Sequence, residues 1–178
     1  YPIYCNPAST SYAITLKKNI ITGNSKKIDG IRADSGKLIL SSNTISSCSR
    51  AIILSSKVKG TVYPNTFKKN TYNNVKVNSS YVNTLTVKSL SGKSKSAKTA
   101  TLNWKKLSSA SGYVVYRSAS KNGSYTKIST IKKNKTITYK DSKLKRKSTY
   151  YYKIVPYTTI GKTTVYGLDS KIVSIKIK

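Results

Sequence analysis

A pattern that recurs three times in the first half of this chain limits its fold more than any other feature. Ile14-x-Leu16-x-x-Asn19-x-Ile21 returns as Leu38-x-Leu40-x-x-Asn43-x-Ile45 and again as Gly60-x-Val62-x-x-Asn65-x-Phe67, at intervals of 24 and 22 residues. A second small-plus-apolar pair follows each copy: Gly30-Ile31, Ala51-Ile52 and Asn74-Val75. The spacing predicts two short alternating strands per copy, too brief to bury a face alone but able to share an interior when stacked on their neighbours. Asn19, Asn43 and Asn65 then fall into a ladder. An asparagine amide can donate and accept along such a stack, and the residue tolerates the left-handed backbone of a turn.

The N-x-I and G-I elements resemble the right-handed parallel β-helix repeats of pectate-lyase-like proteins, over about three coils and an incomplete one at the start. Leucine-rich repeats share the length but need an L-x-x-L-x-L frame that these copies lack. Terminal coils need a cap. None is visible before Ile14, so further coils are expected ahead of Tyr1 in the parent protein.

The pattern changes near Val82. Beyond it the chain reads as strands near 84–88, 99–104, 112–118, 125–131, 135–140, 149–157 and 163–177, the last broken at Gly167. Seven short strands with no helical periodicity suit an immunoglobulin-like sandwich. Leu102 and Trp104 share one face of their strand, as do Tyr113 and Val115 of theirs. The run Leu144-x-Arg146-x-Ser148-x-Tyr150 reads as a tyrosine corner, with Tyr150, Tyr152 and Ile154 inward. Trp104, the Gly112-Tyr113-x-Val115 strand opening and Tyr150 together are similar to the fibronectin type III family over residues 84–178. That family usually has Pro where Arg146 stands and often Thr for Ser148. The expected organisation is all-β: coils over 1–81 and a fibronectin type III-like sandwich over 82–178.

Charge restricts the chemistry. There are 34 Lys and Arg against 4 acids and no His, a formal net charge of +30. His-based triads and His-ligated metals are excluded. The acids are Asp29, Asp34, Asp141 and Asp169. Asp29 and Asp34 lie beside glycines and read as turn residues. Too few carboxylates remain for a calcium site, so no metal, cofactor or catalytic residue is assigned. Arg32 and Arg50 are the arginines of the repeat region; either could pair with a uronate carboxylate, but they are not at matching coil positions and read better as ordinary solvated arginines. Cys5 and Cys48 lack metal-binding or redox spacing, and a structural disulfide or two buried thiols both fit.

Residues 84–178 carry 22 basic and 2 acidic side chains, more than solubility requires. The lysine runs Lys132-Lys133-x-Lys135 and Lys143-x-Lys145-Arg146-Lys147 are the candidate polyanion contacts. As turn residues they also read as an ordinary solvated edge. Lys93, Lys95 and Lys98 add to them in the loop before the second strand. No nucleic-acid motif is present, so salt-sensitive nonspecific binding is expected in place of specific recognition. No apolar run is long enough to span a membrane as a helix.

The two resemblances imply the C-terminal part of a secreted or surface-attached bacterial protein, extracellular and monomeric. Its expected role is non-catalytic, holding the parent on an anionic polysaccharide or cell-wall polymer through lysine charge. Two other readings stay open: a fragment of a polysaccharide lyase or glycosidase whose active coils precede Tyr1, and a structural adhesin or spacer.

Overall fold

The computed structural model describes residues 3–5, 13–23 and 27–178, and every regular element among them is a strand. The residues divide into two compact units, 1–84 with 158–166, and 85–157 with 167–178. Thr158–Tyr166, which the strand pattern alone groups with the sandwich, therefore counts with the repeats.

In the first unit, β1 (Ile3–Cys5) precedes three successive turns of chain. These are β2 (Ala13–Lys17), β3 (Ile20–Thr22) and β4 (Ile31–Ala33), then β5 (Lys37–Ser41), β6 (Thr44–Ser46) and β7 (Arg50–Leu54), then β8 (Lys59–Val62), β9 (Thr66–Lys68) and β10 (Tyr72–Val77). Corresponding strands pair in parallel, β2–β5–β8, β3–β6–β9 and β1–β4–β7–β10. The register puts Ile14, Leu38 and Gly60 in one row, and Ile21, Ile45 and Phe67 in another. A third row holds Ile31, Ile52 and Val75, all buried.

Each turn thus has three strands where the spacing suggested two. The break falls inside the repeated motif. Lys18 and Ser42 take left-handed backbone angles (φ 58° and 55°) one residue before the asparagine, so the chain bends there and the next strands begin just past Asn19 and Asn43, at Ile20 and Thr44. The left-handed residue is the one before the asparagine, and in the third copy that position is Pro64, whose ring forbids a positive φ.

The glycine at the leucine position of the third copy has a steric cause. A Cβ on Gly60 would lie 2.9 Å from Thr163. Thr163 belongs to β18 (Thr163–Tyr166), which pairs in parallel with β8. It is fully buried and donates its hydroxyl to the Val58 carbonyl at 2.9 Å. Tyr166 stacks on Tyr63, with centroids 5.0 Å apart. On the other sheet β11 (Ser80–Val82) adds antiparallel to β10.

The second unit is a β-sandwich. One sheet is β12 (Leu90–Lys93), β13 (Ala100–Trp104) and β16 (Thr138–Asp141). The other runs β15 (Thr126–Ile131), β14 (Gly112–Ser118), β17 (Thr149–Ile160) and β19 (Val173–Lys176). Both sheets turn alternate residues into one core, including Leu102 and Trp104 from the first and Tyr113, Val115, Tyr152 and Ile154 from the second. The strand expected at 84–88 does not form. Leu85 and Val87 are buried as the alternation requires, but residues 83–89 join no ladder, and the Leu85 carbonyl accepts from the Leu168 amide at 2.9 Å.

Candidate functional site

The three repeat asparagines form a continuous hydrogen-bonded column. Asn19 donates its side-chain and backbone N–H groups to Asn43 Oδ1, both at 3.0 Å, and Asn43 donates likewise to Asn65 Oδ1, both at 2.9 Å. Asn43 also donates to the Leu16 carbonyl at 3.0 Å and is fully buried. A second corner, not read from the sequence, is held by Asn70, which accepts from the Cys48 amide and donates to the Ile45 carbonyl, both at 2.9 Å. Its only trace in the sequence is the 22-residue offset from Cys48. Cys5 and Cys48 are separate, buried free thiols, and burial pushes the pKa of both up.

In the sandwich, Trp104 meets Tyr113 edge to face at 5.4 Å, and Tyr113 accepts the Leu107 amide at 2.9 Å. Leu144 is buried. Tyr150 accepts the Lys145 amide at 3.2 Å, the contact expected of a tyrosine corner, while its ring stays half-buried under the Arg117 guanidinium.

Three of the four acids are occupied by partners. Asp34 pairs with Arg32 at 3.4 Å and accepts the Tyr4 hydroxyl at 2.5 Å. Asp169 pairs with Lys153 at 2.7 Å. Buried Asp141 accepts from Arg117 at 3.0 Å and from the Tyr152 hydroxyl at 2.9 Å. Burial first, and the Asp141 hydrogen bond second, hold the Tyr152 hydroxyl far above the ordinary tyrosine pKa. Asp29 lies in the turn before Gly30. Among the described residues no three of Cys, Asp or Glu gather as metal ligands would.

The two lysine runs of the sandwich are not one patch. Lys132, Lys133 and Lys135 follow β15, whose Ile131 is opposite Tyr113 near the start of β14. Lys143, Lys145, Arg146 and Lys147 precede β17, whose first residues lie level with the end of β14, Tyr151 opposite Ser118. The length of β14 separates them, roughly 20 Å. The second run instead joins cations from elsewhere. The Leu144 amide donates to the Lys98 carbonyl at 3.0 Å, the Lys147 amide to the Ile177 carbonyl at 2.9 Å, and the Lys178 amide to Ser94 Oγ at 3.1 Å. Loop 94–99, loop 142–148 and the residues after β19 therefore meet at one end.

A recess of about 430 Å³ opens there, lined by Arg146, Lys147, Lys176, Ile177 and Lys178. Lys176 and Lys178 are contributed by the tertiary fold, and no run in the sequence marks them. Lys98, Lys143 and Lys147 all take left-handed φ angles near 60°, where glycine or asparagine is less strained. Asp141, which ends β16 just before loop 142–148, is already paired with Arg117. The arrangement concentrates positive charge around Ile177.

No protein-family model matches the chain, and no curated protein does. Solved structures similar to it include fibronectin type III domains. A fibronectin type III-like protein from Clostridium thermocellum is 29% identical over 51% of this chain and 88% of that one, with a TM-score of 0.44. The sixth fibronectin type III domain of human fibronectin type III domain containing protein 3 is 19% identical over 56% of this chain and 90% of that one, with a TM-score of 0.45.

Proposed function

We propose that this chain is a non-catalytic accessory region, parallel β-helix coils joined to a fibronectin type III-type sandwich, that holds its protein on an anionic polysaccharide or cell-wall polymer outside the cell. The coil assignment is supported by three parallel ladders, offset by 21 to 24 residues between the three repeats and by 28 between β1 and β4, and by the asparagine column. The sandwich assignment is supported by the three-plus-four strand arrangement and the Tyr150–Lys145 contact.

One observation carries the functional reading: three segments, distant in sequence, bring their lysines and Arg146 to one end, and Asp141, the acid that precedes loop 142–148, is already paired with Arg117. Mutual repulsion there destabilises the fold, and lysines in left-handed turns add strain, so the charge is kept against a structural cost. Lysine acts as a mobile point charge and favours a spread of anionic groups over one geometry.

The test is retention on polygalacturonate and on purified bacterial cell wall across a salt series. Binding is expected to fall away by about 0.5 M salt, where screening shortens the reach of each charge to a few ångströms. The combined change of Lys143, Lys145, Arg146, Lys147 and Lys176 to Gln should abolish it at low salt. Retention that ignores both perturbations refutes the reading.

A further inference from the structure

Asn122–Gly123 is the only asparagine–glycine pair in the chain, and the function argued above makes no use of it. It lies between β14 and β15, where residues 119–124 are all exposed. Lys121 and Asn122 form the corners of a turn that Gly123 closes, donating its amide to the Ser120 carbonyl at 3.3 Å. The usual length of such a bond is about 2.9 Å, so the Gly123 nitrogen is held loosely. Two further bonds shape the loop, from the Ser120 amide to Ser118 Oγ at 3.2 Å and from the Tyr125 hydroxyl to the Lys121 carbonyl at 3.0 Å. Neither involves Asn122.

The side-chain carbonyl carbon of an asparagine and the backbone nitrogen of the next residue can close a five-membered ring. A folded chain prevents this by a side chain that blocks the nitrogen, or by a backbone bond that holds it. Gly123 has no side chain, and a single long bond at an exposed loop tip opens readily. Asp29–Gly30 shows the protected case: Gly30 is buried and its amide donates to the Arg50 carbonyl at 2.8 Å. Attack also requires the nitrogen to shed its proton. The positive field of this chain, with Lys121 next in sequence, favours the anion that results.

We propose that Asn122 is a self-modifying site, converted to an acidic residue by its own neighbour. The Gly123 nitrogen attacks Asn122 Cγ, the N–Cγ bond forms, the Cγ–Nδ2 bond breaks, and ammonia leaves with the proton that the nitrogen gave up. Water then opens the cyclic imide, at Cγ to give aspartate or at the main-chain carbonyl to give isoaspartate. Either product is a fifth acid in a chain that has four. It arrives at the lysine-rich end of the sandwich: β14 finishes at Ser118, opposite Tyr151, and the adjoining Arg117 reaches Asp141 at the start of loop 142–148. The chemistry stands apart from the polyanion reading; that the new carboxylate loosens a bound polyanion rests on it.

The experiment incubates the full chain in warm, mildly alkaline buffer and follows it by cation-exchange chromatography and by mass mapping of the peptide that holds residue 122. An earlier-eluting form is expected, with the mass of an acid in place of an amide at 122, and an isoaspartyl methyltransferase should methylate part of it. The rate should rise about tenfold per pH unit, because the attacking nitrogen must first be deprotonated. Asn122→Gln should slow conversion at least about tenfold, since its ring would have six members. Asn78–Ser79, also exposed, is the internal comparison and should lag about tenfold behind, its nitrogen being flanked by a side chain. No acid at 122 by the time a free peptide of residues 117–128 has converted, conversion at 78 ahead of 122, or a wild-type rate in Asn122→Gln overturns the proposal. A fresh chain that polygalacturonate fails to retain refutes the polyanion reading alone, because the mass at residue 122 is read independently.

Discussion

Replacing Asn43 by Ala should unravel the middle of the coil stack, at a cost the structure allows to be worked out. Asn43 is fully buried and its side chain makes four hydrogen bonds, two accepted from Asn19 and two donated, to Asn65 and to the Leu16 carbonyl. Alanine removes all four. The amides of Asn19 and Asn65 are half-buried and can turn to water. The Asn19 backbone N–H and the Leu16 carbonyl lose these partners, each at about 1 to 2 kcal/mol. A total of about 3 kcal/mol follows, a large share of a domain's stability. Asn19→Ala should cost about 1 kcal/mol, because Asn43 Oδ1 keeps the backbone N–H of residue 19; Asn65→Ala should cost about 2 to 3 kcal/mol, because it strands the backbone N–H and one side-chain N–H of fully buried Asn43. Asn43→Asp should be worse than Asn43→Ala, since a carboxylate would face two acceptors. Native-state hydrogen exchange of the amides in 38–46 measures this locally, while the fluorescence of Trp104, the only tryptophan, follows the second unit as a control. A cost for Asn43→Ala below about 1 kcal/mol, or no greater than for Asn19→Ala, would refute the column as a source of stability.

Two further outcomes follow from the sandwich. Tyr152→Phe should cost about 2 kcal/mol near neutral pH by removing a bond to ionised Asp141. An unfolded tyrosine ionises near pH 10, whereas buried Tyr152 keeps its proton to higher pH. Above about pH 10 the unfolded state therefore sheds a proton that the folded state holds, and wild-type stability falls by about 1.4 kcal/mol per pH unit through this group. The phenylalanine variant lacks that slope, so the gap between the two should close as pH rises; urea unfolding followed by Trp104 fluorescence checks it, and a constant gap counts against the argument. Gly112→Ala should destabilise by about 2 to 3 kcal/mol in the same assay, because its Cβ would lie 2.1 Å from the Ile131 carbonyl and 2.7 Å from the Tyr157 hydroxyl.

Where hydrophobic alternation was strong and local, the chain could be read directly. The rows through Leu38, Ile45 and Ile52 follow from repeat spacing, and Leu102, Trp104, Tyr113 and Tyr152 fall inside the sandwich because alternate residues of a strand face opposite ways. Where a backbone angle or a distant partner decided, the reading drifted. The bends at Lys18 and Ser42 carry no glycine to announce them. Leu85 and Val87 alternate like a strand but satisfy their backbone elsewhere, so the first sandwich strand begins at Leu90. The candidate site was half legible: Lys143, Lys145, Arg146 and Lys147 stand out as a run, Lys176 and Lys178 do not, and Lys132, Lys133 and Lys135 belong to the other end.

The sequence alone determined that the chain is all-β, that its first half stacks like on like, and that its surface is overwhelmingly cationic, because composition and short-range periodicity act within one strand or one repeat. Tertiary structure decided which cations stand together and why Gly60 interrupts a leucine row. Those outcomes depend on pairing register and on how loops close over residues tens of positions away, and neither is encoded in any single stretch of chain.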